Sequence, residues 1–325
     1  MTERKKTVLI FGITSFVGSN LAEYLKKDYI VVGTYHKMPV SLAGIVSLPC
    51  DVLEKEAVQL VLFAFKPDYT IYAVGLSSVQ DCARSPEMAD ALNSSGLYNV
   101  LEYCQRYKSR LCCLSSSYVF SGNQEEYMEM DTPDPITVFG KNKASSEFYV
   151  QKTSLNYLII RCPSFYGRSM NPRQKTFFEA IQTKIAKGQS FICDNSIKHG
   201  YLDIYYLCLV IKLCFEKNMQ NRLLQLCSKD ICTAFEFAKT YCEVFGQDAG
   251  FINKGRWPFA LVGSNVNSFP SDDLRYSLNI NNIENALRIE LPTIKESLEF
   301  TFKRMHGVKE NRSRKIKKTE GINYI

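Results

Sequence analysis

Over roughly the first 160 residues, short runs of β-branched and aromatic residues alternate with segments whose apolar positions recur every three to four residues. Val8-Leu9-Ile10-Phe11 predicts a first strand, and Val17, Leu21 and Leu25 share one face of a helix expected from about Phe16 to Lys27. Strands follow at Tyr29 to Thr34 and Ile45 to Leu48. A helix from Glu54 to Phe65 stops at Lys66-Pro67-Asp68, and Tyr69 to Val74 makes a fourth strand. A long helix is expected from about Pro86 to Tyr107, then a strand at Arg110 to Leu114, a helix at Phe139 to Lys152 and a strand at Leu155 to Ile160. This alternation predicts an α/β fold: a doubly wound parallel sheet of Rossmann type with helices on both faces.

Beyond Arg161 the pattern loosens. Pro163, Gly167 and Pro172 mark a loop, and helices are expected near Lys175 to Lys187, Asp203 to Glu216 and Thr233 to Phe245. The expected organisation is a cofactor-binding Rossmann core over 1–165, a smaller substrate-binding lobe over 166–306 interleaved with that core, and a basic, disordered tail over 307–325. In open α/β sheets the ligand sits beyond the carboxyl ends of the strands, where such a lobe would close over it.

Charge and cysteines narrow the function classes. The net charge is +7, but Lys309, Arg312, Arg314, Lys315, Lys317 and Lys318 against Glu310 and Glu320 leave +4 in the tail and about +3 in the body. That is no nucleic-acid footprint. Twelve cysteines in 325 residues, with no C-x-x-C, are no disulfide scaffold, and His36, His199 and His306 are too scattered for a zinc site, so no metal is expected. Arg4-Lys5-Lys6 before Val8 to Val17 imitates a signal peptide, but Gly12 and Gly18 interrupt the run. The apolar stretch Tyr201 to Phe215 is too short to span a bilayer and contains Asp203 and Lys212. A cytoplasmic protein without a membrane partner is expected.

Gly12-Ile13-Thr14-Ser15-Phe16-Val17-Gly18 joins the first strand to the first helix. Glycine at such a turn lets backbone approach a pyrophosphate, whose charge the helix N-terminal amides then hold. The spacing resembles the G-x-x-G-x-x-G of short-chain dehydrogenase/reductases, with Ser15 at the middle glycine. After the second strand, Thr34-Tyr35-His36-Lys37 offers no carboxylate for a ribose hydroxyl but two potentially cationic groups for a 2′-phosphate, which favours NADP over NAD.

Further on, Ser115-Ser116-Ser117-Tyr118-Val119-Phe120, Tyr127-Met128-Glu129-Met130-Asp131 and Pro135 through Lys143 resemble a specific region of the extended short-chain dehydrogenase/reductases. The resemblance is to the dTDP-4-dehydrorhamnose reductases and their relative, the regulatory β subunit of methionine adenosyltransferase. Lys66-Pro67-Asp68, Ala73-Val74-Gly75, Asn93, Ile160-Arg161, Tyr166-Gly167 and Phe269-Pro270-Ser271-Asp272 agree with it. The resemblance implies Asp51 and Val52 near the adenine, Ala73, Val74, Gly75 and Pro163 along the cofactor, and Ser77 and Ser117 toward the substrate. It further implies that Ser116 polarises a substrate carbonyl and that Lys143 binds the nicotinamide ribose. The tyrosine that would protonate the developing alkoxide is replaced by Phe139, which has no proton to give. Tyr118 is a candidate substitute donor. Arg161, His199 and Arg256 are candidate anion contacts for a pyrophosphate.

Two readings follow. In one, the chain is an NADP-dependent reductase or modifier of a 4-keto nucleotide sugar, acting as a homodimer in surface polysaccharide synthesis. In the other, it binds the cofactor or nucleotide sugar without redox turnover, as a regulatory protein.

Overall fold

A computed structural model describes residues 4–153, 156–256 and 274–307. The Phe269-Pro270-Ser271-Asp272 motif and the tail beyond Gly307 lie outside the described residues, as does the first position of the strand expected from Leu155.

Seven strands form one parallel sheet: β1 (Thr7–Phe11), β2 (Ile30–Tyr35), β3 (Val46–Pro49), β4 (Tyr69–Tyr72), β5 (Arg110–Ser116), β6 (Tyr157–Cys162) and, from far along the chain, β11 (Arg222–Gln225). Their order is β11-β6-β5-β4-β1-β2-β3. The strand order reverses at β1, which lies between β2 and β4, and the crevice at such a reversal is where ligands bind.

Alternation along each strand divides the core in two. Val8 and Ile10 of β1 face a layer with Leu21 and Leu25 of α1 (Phe16–Leu25), while Leu9 and Phe11 face one with Val58 and Leu62 of α2 (Lys55–Phe65). The doubly wound sheet is therefore as the pattern predicts.

One expected element is different. The helix anticipated from Pro86 to Tyr107 is three pieces, α4 (Pro86–Asp90), a π-helical turn (Ala91–Ser95) and α5 (Gly96–Arg106), preceded by α3 (Val79–Arg84). The wide turn carries Asn93 over the loop after β4. Its amide donates to the Leu76 carbonyl at 3.1 Å, and a Cβ on Gly75 would lie 1.9 Å from Asn93 Oδ1. A regular helix would carry Asn93 around the axis and away from that loop.

α6 (Val138–Thr153) lies on the α2 and α5 side of the sheet, where Val150 joins that core. The second lobe is built from three short parallel strand pairs, β7 (Ser164–Tyr166) with β10 (Tyr201–Asp203), β8 (Phe191–Asp194) with β12 (Ile252–Gly255), and β9 (Ile197–His199) with β13 (Leu274–Tyr276). Around them α7 (Phe177–Ala186), α9 (Ala234–Phe245) and α11 (Ile294–Met305) close an aromatic-rich core that includes Tyr166, Phe178, Phe237 and Tyr241. The lobes interleave: α8 (Ile204–Glu216) and α10 (Asn281–Leu287) cover the main sheet on the α1 side.

Candidate active site

The turn after β1 is shaped by its own backbone. Gly12 has φ +84°, and a Cβ there would lie 2.6 Å from the Ala73 carbonyl oxygen. A Cβ on Gly18 would lie 2.2 Å from the Gly12 carbonyl oxygen. Both glycines are thus required by the fold of the turn itself. Ser15 caps α1: its hydroxyl accepts from the Gly18 amide at 2.9 Å and donates to the Gly12 carbonyl at 2.8 Å. Serine before an amphipathic helix is a capping signal. Thr14, Ser15, Phe16 and Val17 are half-buried along the turn, and α1 has no acidic residue in its first turn. One contact had no sequence signal. The second lobe reaches the turn through Asn171, whose amide donates to the Thr14 carbonyl at 2.9 Å.

At the end of β2, His36 and Lys37 are exposed, as their proposed role requires. His36 is not free, however: its Nε2 lies 3.3 Å from Asp51 Oδ2, so the imidazole and the carboxylate expected at separate contacts form one pair. Val52 is buried, in contact range of Gly96. Val74 packs with Ala73 against Gly12, while Gly75 and Ser77 are exposed on the loop beyond β4. Pro163 is half-buried between β6 and β7.

Ser116 closes β5, and its hydroxyl accepts from the Tyr118 amide at 3.3 Å. Ser117 opens a single 3₁₀ turn (Ser117–Val119) and, like Ser116, is buried. Lys143 reaches back from α6, and its ammonium donates to the Leu114 carbonyl at 2.9 Å, one strand position from Ser115. Four residues separate Phe139 from Lys143, so both lie on one face of α6; the ammonium is 5.7 Å from the phenyl centre. Phe139 is 7% exposed among Cys82, Ala89, Leu76 and Val79, and its ring meets that of Tyr118 edge-on at 5.9 Å.

Two of the candidate anion contacts are placed otherwise. Arg161 is buried in an ion pair with Glu147 of α6, with side-chain exposures of 3% and 2%. Its Nε and Nη2 donate to both carboxylate oxygens at 2.8 to 3.2 Å, and its Nη1 donates to the Glu129 carbonyl at 3.3 Å. Ser115 donates to the same carboxylate. Arg161 is a core residue, with no face left for a ligand. His199, at the end of β9, is also buried, and its Nε2 is 3.0 Å from the Tyr118 hydroxyl. Burial holds its pKa down at about 4, so it is neutral near pH 7 and offers an anion no charge. Arg256 is exposed after β12. Burial pushes the Tyr118 hydroxyl well above the ordinary phenol range. Among the described residues no cluster of His, Cys, Asp and Glu is arranged to hold a metal, and no helix is long and apolar enough to cross a membrane.

Comparison with known proteins follows the same lines. The chain is similar to the probable low-salt glycan biosynthesis reductase Agl14 of Haloferax volcanii, 23% identical over 89% of this chain and 95% of that one. It is also similar to methionine adenosyltransferase 2 subunit beta of Bos taurus, 26% identical over 50% of this chain and 48% of that one. Among solved structures, dTDP-4-dehydrorhamnose reductase of Bacillus anthracis in complex with NADP superposes with a TM-score of 0.78 at 20% identity, over 94% of this chain and all of that one, which shows the shared fold. The family model described as the RmlD substrate binding domain matches residues 6–306, and the chain belongs to that family.

Proposed function

We propose that the protein is an NADP-dependent reductase of a 4-keto nucleotide sugar in glycan precursor synthesis. The observation that carries this reading is the placement of Ser116 and Lys143 together at the carboxyl end of β5, two strands from the switch point at β1. The residues fit the cofactor: the turn after β1 ends at a helix N-terminus free of acidic side chains, and Lys37 is exposed beside it at the end of β2. When bound, the reduced nicotinamide supplies hydride to a carbonyl carbon. Ser116 donates a hydrogen bond to the carbonyl oxygen, and Lys143, fixed by the Leu114 carbonyl, holds the nicotinamide ribose and places positive charge beside the developing alkoxide. Homology to a glycan biosynthesis reductase and the NADP bound to the Bacillus anthracis structure support the substrate and cofactor classes.

Phe139 favours the second reading, a protein that binds the cofactor or the nucleotide sugar without turnover. The protein is cytoplasmic on this account and a homodimer. The surface that would carry the dimer is that of α5 and α6, where the tilted rings of Tyr98 and Tyr149 lie 4.0 Å apart and Phe148 is two-thirds exposed. Calorimetry with NADPH and dTDP separates the first reading from loss of the site. Both ligands should bind, and failure of NADPH to bind would refute the first reading.

A further inference from the structure

The position that should hold a proton donor is Phe139, yet the phenyl ring is wedged between two polar groups, the Lys143 ammonium and the Tyr118 ring. Tyr118 does not stand alone. Its ring lies 5.1 Å from that of His199 and 4.6 Å from that of Tyr276, and His199 stacks flat on Tyr276 at 4.9 Å and 6°. The stack fixes the imidazole plane so that Nε2 meets the Tyr118 hydroxyl, while Nδ1 is buried and has no partner among the described residues. The charge of Asp194 acts on both members of the pair, and its carboxylate accepts from the Ser196 hydroxyl and from the amides of Ser196 and Ile197.

That geometry decides the tautomer. With its hydrogen on Nδ1, His199 would bury an unmet N–H donor, a costly and rare arrangement, whereas an unmet lone pair is better tolerated. With the hydrogen on Nε2 instead, His199 donates it to the Tyr118 oxygen. The tyrosine's own O–H is then unspent, and no second hydrogen bond among the described residues takes it up.

We propose that Tyr118, held by His199, is the proton donor of this site in place of the residue lost at Phe139. This rests on the reductase reading. As hydride reaches the carbonyl carbon, the carbonyl π pair becomes an oxygen lone pair that takes the proton from Tyr118 Oη. The carbonyl is reduced and the nicotinamide oxidised. The phenolate left behind accepts the Nε2–H hydrogen bond and regains its proton from water. His199 is a positioning residue: it orients the phenol and stabilises the phenolate without itself touching the substrate.

The tautomer can be read in the protein alone, by ¹⁵N NMR of the imidazole nitrogens with His199→Gln to assign the signal. A bare Nδ1 and a protonated Nε2 whose resonance moves in Tyr118→Phe are expected. A protonated Nδ1 overturns the proposal whatever the activity, because Tyr118 would then be spending its proton on His199. With dTDP-4-dehydrorhamnose and NADPH, Tyr118→Phe should lower kcat by about 10²–10⁴-fold, the share of a general acid, with the NADPH Kd unchanged. Adding Phe139→Tyr to that variant should restore turnover, which a merely misfolded variant could not show. His199→Gln, which keeps an N–H donor, should retain more of kcat than His199→Leu. Undiminished turnover in Tyr118→Phe overturns the proposal. A wild type that turns over no 4-keto nucleotide sugar counts against the reductase reading instead, and the tautomer then decides the pair's geometry separately.

Discussion

Replacing Arg161 with Met should destabilise the protein far more than an ordinary substitution at a strand end. The guanidinium makes three hydrogen bonds to Glu147, at 2.8, 3.0 and 3.2 Å, and lies 4.8 Å from the Phe120 ring centre. Removing the cation leaves a carboxylate that is 2% exposed with the Ser115 hydroxyl as its chief remaining partner. Breaking one side of a buried pair costs about 3–5 kcal/mol, mostly the penalty of stranding the other charge. For a chain of this size that corresponds to a melting point lower by roughly 4–7 °C. Replacing both partners, Arg161→Met with Glu147→Leu, removes the stranded charge and should recover most of the loss. Thermal unfolding of the wild type, the two single variants and the double variant measures the coupling. The reasoning fails if Arg161→Met melts within about 2 °C of wild type, or if the double variant is no more stable than the single. A variant that melted normally but lost affinity for a nucleotide sugar would return Arg161 to the surface role.

Other outcomes follow from the same structure. Because His36 already meets Asp51, Lys37 is the cation left for a 2′-phosphate. Lys37→Ala should weaken NADPH about tenfold, the ~1.4 kcal/mol of one exposed charged hydrogen bond, and leave NADH nearly unchanged by calorimetry. His199 titrates near 4 when folded against an ordinary 6.5, so the unfolded chain binds the extra proton between these values and stability falls as pH drops through that window. At pH 5 the cost is on the order of 2 kcal/mol, and His199→Gln should flatten the denaturation midpoint between pH 6.5 and 4; an unchanged slope would contradict the buried neutral imidazole. A chain ending at His306 should melt within a few degrees of full length, since the residues beyond it are too basic and too poor in apolar side chains to add a core.

What the sequence made legible was local or periodic. The glycine turn, the amphipathic α1 and the β-branched strands carry their signals within a few residues, and the doubly wound parallel sheet follows from their alternation, whereas its reversal at β1 does not. The broken helix was not legible, because the wide turn at Ala91–Ser95 answers to a contact between Asn93 and the loop of Gly75, two segments that periodicity treats separately. The misplaced anion contacts have the same origin. Arg161 and Glu147 stand on different elements, as do Tyr118 and His199, 81 positions apart, and Thr14 and Asn171, 157 apart. A charged or imidazole side chain near a loop looks available until the fold supplies its partner. Phe139 is the reverse case: its departure from the expected tyrosine is plain in the sequence, but only the packing shows Tyr118 and His199 around it.

The account stands on reductive turnover. Loss of nicotinamide absorbance from NADPH, followed with a panel of 4-keto nucleotide sugars that includes dTDP-4-dehydrorhamnose, tests it most directly. The account predicts consumption of NADPH with at least one member of the panel, and substrate-dependent rates that Ser116→Ala and Lys143→Met each reduce by at least tenfold. Tight NADPH binding with no consumption across the panel, unchanged when Phe139 is replaced by Tyr, would contradict it and leave the protein a binder of the cofactor.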